Sequence, residues 1–207
     1  MSKELPEIKT ILFDLGGVLI DWNPRHLFRK MFKDVDEMEY FLKEVATSDW
    51  NEMQDAGRPF EEAIDILASK FPDYQKYIQA YYYRWPEMLN GSIRETVEIL
   101  KKLKEELGYP VYALTNWSAQ TFPHARDQFN FLGWFEGILV SGEENMKKPD
   151  PRIYELTLER FGLKGENTLF IDDSLRNIVA ARKCGLRAVQ FESPAKLRAD
   201  LRLLKVI

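Results

Sequence analysis

Apolar positions along the chain fall into two rhythms. Short, nearly continuous runs rich in β-branched and aromatic residues occur at 10–14, 110–115, 137–140, 168–172 and 187–191. Their length and composition predict strands buried on both faces. From residue 110 onward these runs alternate with helical spacing: a helix from about Ser118, another from about Pro151, a third over 174–184 closed by Gly185, and a terminal one. Such alternation predicts βαβ units around a parallel sheet, and right-handed crossovers then bring all strand C-termini to one edge. A longer helix precedes them. Ser92-Ile93-Arg94-Glu95 reads as a capping box, and Ile93, Val97, Leu100, Leu103 and Leu107 form an apolar stripe that Gly108 ends.

Between the first strand and that helix the rhythm is helical throughout. Asn23-Pro24 supplies an N-cap and a proline for the first helical position. Asp34-Val35-Asp36, Thr47-Ser48-Asp49, Gly57-Arg58-Pro59 and Phe71-Pro72-Asp73 then punctuate the stretch with turns and caps. The expected organisation is an α/β core of residues 1–17 and 91–207 interrupted by an all-helical insertion at 18–90. The insertion is strongly aromatic, as a few short helices must be to bury enough surface. Trp22, Trp50 and one or two residues of the 81–85 group are the alternative candidates for pocket walls, and Arg84 for stacking on an aromatic ring or for holding an anion.

Composition narrows the functional classes. With 207 residues, 45% hydrophobic and 30% charged, the chain can bury a sizeable core. A formal net charge of -4 and a pI near 5.4 give no overall attraction to nucleic acid or to an anionic membrane, so any phosphate site must be local. The single cysteine, Cys184, reads as a small buried apolar residue and fits a reducing compartment. No apolar run reaches transmembrane length, and acidic residues and Pro6 occupy the stretch where a leader would be apolar, so the expected location is the cytoplasm.

Chemistry-bearing residues cluster just past the strand ends. Asp14 closes the first strand and is followed by Gly16 and Gly17, which allow a tight turn and close approach of backbone N–H groups to an anion. Thr115-Asn116 ends the second core strand, Lys148 follows the 141–144 loop, and Asp172-Asp173 ends the fourth. Each has a plainer role: helix caps for Asp14 and Asp172-Asp173, turn residues for Thr115 and Asn116, a solvated loop charge for Lys148. Together they make three carboxylates beside a hydroxyl, an amide and an ammonium at the ligand-binding edge of an open sheet. Clustered carboxylates repel one another without a cation, which points to Mg²⁺ and to a phosphate ester as the ligand.

In this order the segments resemble the motifs of the haloacid dehalogenase-like (HAD) hydrolase superfamily: Asp14-Leu15-Gly16-Gly17-Val18, Leu114-Thr115-Asn116, Lys148-Pro149-Asp150, and Ile171-Asp172-Asp173-Ser174 with Asn177. The resemblance implies a Rossmann-like parallel sheet with helices on both faces and an inserted helical cap. It further implies that Asp14 is a nucleophile forming an aspartyl-phosphate. Mg²⁺ would be held by Asp14, the Gly16 carbonyl and Asp173, with Asp172 as a further ligand or as a hydrogen-bond acceptor behind them. Thr115, the Asn116 backbone and the Gly16-Gly17 turn would bind the phosphoryl group, Lys148 would neutralise it, and Asn177 would orient the acidic loop. Asp21, where the cap begins, is a candidate for substrate contact.

One position departs from the pattern. Most phosphatases of the family carry a second aspartate two residues after the nucleophile, and here that residue is Gly16. Three alternatives follow. A phosphatase could draw protons from solvent, Asp21 or His26, or act on an ester needing little protonation such as a sugar 1-phosphate; similar family members with glycine there include a glucose-1-phosphate phosphatase. A 2-haloacid dehalogenase also lacks the aspartate, but that group has uncharged residues where Asp172-Asp173 stand. A binding protein without turnover is the third. His26 and His124 lack metal-ligand spacing and read as helix-surface residues.

Overall fold

The protein is described here by a computed structural model covering residues 6–207. Five strands form a parallel sheet in the order β5-β4-β1-β6-β7: β1 is Thr10–Phe13, β4 Val111–Thr115, β5 Gly137–Val140, β6 Thr168–Asp172 and β7 Arg187–Gln190. Two shorter strands, β2 (Ile20–Trp22) and β3 (Leu89–Ser92), form a separate antiparallel ribbon. The first strand of the chain is therefore the middle strand of the sheet.

Alternation along the strands builds two hydrophobic layers, because successive side chains leave opposite faces. Ile11, Phe13, Val111, Ala113, Leu169 and Ile171 join one buried cluster, packed against helices Arg94–Lys101, Phe122–Gln128 and Pro194–Leu203. Leu12, Leu114 and Phe170 join the other, packed against helices Pro151–Arg160 and Leu175–Lys183. Among the described residues, helices thus cover both faces of the sheet.

Register decides what stands on that edge. Phe13 is paired with Ala113 on one side and Ile171 on the other, so Asp14 lies level with Leu114 and Asp172, one step below Thr115.

The chain leaves the core after β1 through β2 and returns through β3, with Ile20 paired to Ser92 and Trp22 to Leu89. Between them lie helices Arg25–Phe28, Val35–Tyr40, Ser48–Asp55, Phe60–Lys70 and Gln75–Tyr83. Their starts follow from the expected caps. Asn23 Oδ1 accepts from the Arg25 N–H at 3.0 Å, Asp34 from Asp36 at 2.8 Å, and Thr47 from Trp50 at 3.1 Å. The aromatics form the expected centre, with Phe28 against Phe41 at 4.9 Å and Phe32 stacked on Tyr77 at 3.8 Å between ring centroids.

Five expectations are corrected. Residues 20–22 and 89–92 pair as strands β2 and β3 where the spacing predicts a helical rhythm alone. The Ser92 capping box does not form, because Ser92 is held extended in β3 and the helix begins at Arg94 without a side-chain cap. That helix widens into a π turn at Lys102–Glu106 before Gly108 ends it at φ +72°. The extra residue in the turn rotates the stripe, which leaves Leu107 exposed. The helix expected from Ser118 begins at Phe122, and Cys184 is half-buried rather than buried. No helix among the described residues is long and apolar enough to cross a membrane. The N-terminal stretch weighed as a leader lies, through residue 5, outside the described residues.

Candidate active site

Asp14 follows β1 directly, and its Oδ1 accepts from the Leu15 N–H at 2.7 Å. The backbone then closes tightly: the Leu15 carbonyl accepts from Leu19 at 2.8 Å and Ile20 at 2.9 Å, and the Gly17 N–H donates to Ile20 at 2.9 Å. Gly17 sits at φ +74°, and a Cβ there would come within 2.5 Å of Asp173 Oδ2. Only glycine satisfies both conditions. At Gly16, by contrast, a Cβ would meet nothing within 4 Å.

Lys148 is fully buried, and its three donors are all used. Nζ lies 2.6 Å from Asp172 Oδ2, 2.9 Å from Asp14 Oδ2 and 3.1 Å from the Leu114 carbonyl oxygen. Its backbone is clamped as well: Asn116 Oδ1 accepts from the Lys148 N–H at 2.8 Å and Asn116 Nδ2 donates to the Lys148 carbonyl at 2.9 Å. Asp172 accepts from the Ser174 N–H at 2.8 Å and from Asn177 Nδ2 at 3.0 and 3.1 Å. Beside this saturated network, the buried Thr115 hydroxyl and Asn177 Oδ1 have no partner.

The charges do not balance. Asp14, Asp172 and Asp173 bring carboxylate oxygens within 4.8 Å of one another around a single ammonium. Burial works to strip Lys148 of its proton, but Asp14 and Asp172 outweigh it and hold the ammonium. Burial and the two other carboxylates lift the Asp14 carboxyl well above the usual range, although Lys148 opposes them. Burial and Asp172 raise Asp173 in the same way. A divalent cation would remove that excess negative charge. Asp172 already has four hydrogen bonds, whereas Asp14 and Asp173 retain free lone pairs and the Gly16 carbonyl takes no bond in its turn. The donor set is all oxygen, as a hard cation requires.

Above the cluster lies a cavity of about 430 Å³. Gly16, Gly17, Asn116, Asp173, Ser174 and Asn177 form its core side. The insertion and the loop after β4 supply aromatic walls, Trp22, Tyr81, Trp85 and Trp117, together with a polar strip of Asn51, Glu52 and Asp55.

Of the residues singled out in the sequence, Asp14, Lys148, Asp172, Asp173, Asn116 and Asn177 meet in this cluster, with Gly16, Gly17 and Thr115 beside it. Asp21 does not line the cavity. Its two oxygens are engaged by His26 at 3.2 Å and Asn90 at 2.9 Å. Trp50 packs on Phe60 and Tyr81 instead of lining the cavity, and Arg84 pairs with Glu87 at 2.7 Å. His124 is exposed, and His26 is half-buried. Glu52 and Asp55 escaped sequence reading because no local pattern indicates which face of a short helix meets the distant edge of the sheet, and Trp117 because nothing local marks which loop side chain turns to the cavity.

A family model for haloacid dehalogenase-like hydrolases matches residues 8–185. The chain is 28% identical to the sesquiterpene phosphatase of Aspergillus oryzae over 196 residues, covering 95% of this chain and 96% of that protein. It is 25% identical over 198 residues to the glyceraldehyde 3-phosphate phosphatase of Pyrococcus abyssi, covering 89% and 82% respectively. A HAD family enzyme from Bacteroides thetaiotaomicron, solved with magnesium and inorganic phosphate, is similar with a TM-score of 0.65 at 25% identity, over 88% of this chain and 93% of its own.

Proposed function

The chain belongs to the haloacid dehalogenase-like hydrolase family, and on that premise we propose that it is a Mg²⁺-dependent phosphatase of small phosphorylated metabolites acting through a phosphorylated Asp14. The observation that carries this reading is the meeting of Asp14, Asp172 and Asp173 around one buried lysine at the open edge of the sheet.

In the proposed reaction an Asp14 oxygen attacks phosphorus and displaces the ester oxygen, and water later releases phosphate from the acyl phosphate. Lys148 keeps the Asp14 carboxylate aimed and offsets charge on the phosphoryl group. The unpartnered Thr115 hydroxyl is free to donate to a phosphoryl oxygen. Asp14, Asp173 and the Gly16 carbonyl would hold Mg²⁺, which when bound supplies charge neutralisation at the phosphoryl oxygens. Asp172, with its hydrogen-bonding capacity filled, braces Lys148 and the 173–177 turn, and Asn177 braces Asp172.

The retained carboxylates favour phosphoryl transfer over dehalogenation. The cavity volume suits a small ester whose body rests on aromatic walls. Phosphate release from a panel of sugar 1-phosphates, triose phosphates, prenyl phosphates and p-nitrophenyl phosphate tests the proposal. Release is expected with Mg²⁺ and not with EDTA, and Asp14→Asn is expected to fold normally with no turnover. Chloride release from 2-haloacids, or wild-type rates from Asp14→Asn, would overturn it.

A further inference from the structure

Hydrolysis through Asp14 needs a group that gives a proton to the leaving oxygen and later takes one from water, and Gly16 has no side chain to do either. Resting on the phosphatase reading above, we propose that Asp55, at the C-terminal end of helix Ser48–Asp55 in the insertion, is the general acid and base of the reaction, facing the phosphoryl site across the cavity.

Placement comes first. Asp55 lines the same cavity as Gly16, Asn116 and Asp173. Asn51 Nδ2 donates to its Oδ2 at 3.3 Å, and the Ser118 backbone, three residues past Thr115, acts on its carboxylate to lower its pKa. Its main chain is tied to the core too. Ser141 Oγ, just past β5, donates to the Asp55 carbonyl at 2.5 Å and accepts from the Trp117 N–H at 2.9 Å. The end of helix Ser48–Asp55 is thereby anchored to the ends of two core strands although it belongs to the insertion.

Its protonation suits the role. Burial and then Glu52 push the Asp55 carboxyl up to about 7, against the opposing charges of Lys147 and Lys148 and the Ser118 backbone. Tyr81, the titratable group facing it from helix Gln75–Tyr83, stays protonated, since burial and Asp55 both raise it. The other carboxyls on the cavity wall do not compete. Burial raises Glu52, but Arg176 and Lys147 more than offset that and keep it ionised. Asp173 belongs to the acidic cluster. A carboxyl that titrates near neutrality supplies both protonation states.

The proton balance closes. As an Asp14 oxygen bonds to phosphorus, the P–O ester bond breaks, its electron pair stays on the ester oxygen, and the Asp55 proton goes to that oxygen. The free alcohol leaves. The Asp55 carboxylate then takes a proton from water as the water oxygen attacks phosphorus. The bond from phosphorus to Asp14 breaks, returning the Asp14 carboxylate, a protonated Asp55 and inorganic phosphate.

The test is kcat/KM between pH 5 and 9, with Mg²⁺, for wild type and Asp55→Asn on an alkyl phosphate and on p-nitrophenyl phosphate. Wild type is expected to lose activity above about pH 7, as Asp55 deprotonates in the free enzyme. Asp55→Asn is expected to lose about 10²- to 10⁴-fold on the alkyl ester, much less on the nitrophenyl ester, whose leaving group needs no proton, and to lose the alkaline limb. Gly16→Asp in the Asp55→Asn background is expected to restore part of the alkyl phosphatase activity, since position 16 has room for a side chain. Should Asp55→Asn fail to fold, Asp55→Glu replaces it and must keep an alkaline limb at a shifted pH. Equal losses on both esters with the limb intact, or no loss, overturn the role of Asp55. Absence of phosphatase activity in wild type instead overturns the proposed function.

Discussion

At the scale of single residues, the cluster depends on side chains that hold other side chains in place. Asn116 carries little chemistry of its own, yet its amide takes the backbone of Lys148 at both N–H and carbonyl. Two neutral hydrogen bonds at a partly buried site contribute about 0.5–1.5 kcal/mol each, and the groups left unpaired cost more. Asn116→Ala is therefore expected to lower kcat about tenfold or more at a modest cost in Tm, because Lys148 loses its alignment on Asp14 before the fold is lost. Kinetics and thermal melts on one preparation check it; an unchanged kcat would show that the three Nζ contacts of Lys148 position it unaided. Sequence reading marked Asn116 for its backbone. That its side chain does the holding was hidden, because the partner is 32 residues away.

At the scale of elements, helix Ser48–Asp55 connects insertion and core. Glu52 hydrogen-bonds both Lys147, beside Lys148, and Arg176, in helix Leu175–Lys183. An exposed ion pair contributes little by itself, but here one half-buried carboxylate holds two cations from separate core segments. Glu52→Gln is expected to raise KM by loosening that docking and to reduce the sensitivity of KM to salt. It also removes a negative charge that raises Asp55, so the alkaline limb of the pH profile moves to lower pH. A limb that stayed in place would separate that limb from Asp55. Thr47 and Asp34 made these helix starts readable from sequence, since a cap acts within three residues. The failed cap at Ser92 marks the boundary of such reading: pairing to β2 outcompetes a local hydrogen bond.

At the scale of the whole molecule, the insertion is not a separate body. One buried cluster runs from Phe13 and Ile171 on the sheet through Leu19, Leu27 and Trp117 to Phe28, Phe41 and Tyr77 in the insertion. Calorimetry is accordingly expected to show a single cooperative transition, and two resolved transitions would contradict a shared core. Mg²⁺ at a hundred times its Kd is expected to add about 2.7 kcal/mol to that transition. A melting temperature indifferent to Mg²⁺ would speak against a cation at Asp14 and Asp173.

The sequence alone determined the parallel sheet, the largely helical insertion and which residues stand at the strand ends, because apolar runs of strand length, caps and turn glycines are local signals. Tertiary structure alone decided how Lys148 divides its donors, which aromatics face the cavity, and that Asp55 lines the same cavity as Gly16. Those depend on how helix Ser48–Asp55 settles on the edge of the sheet, and docking of that kind is settled by packing and charge between segments far apart in the chain.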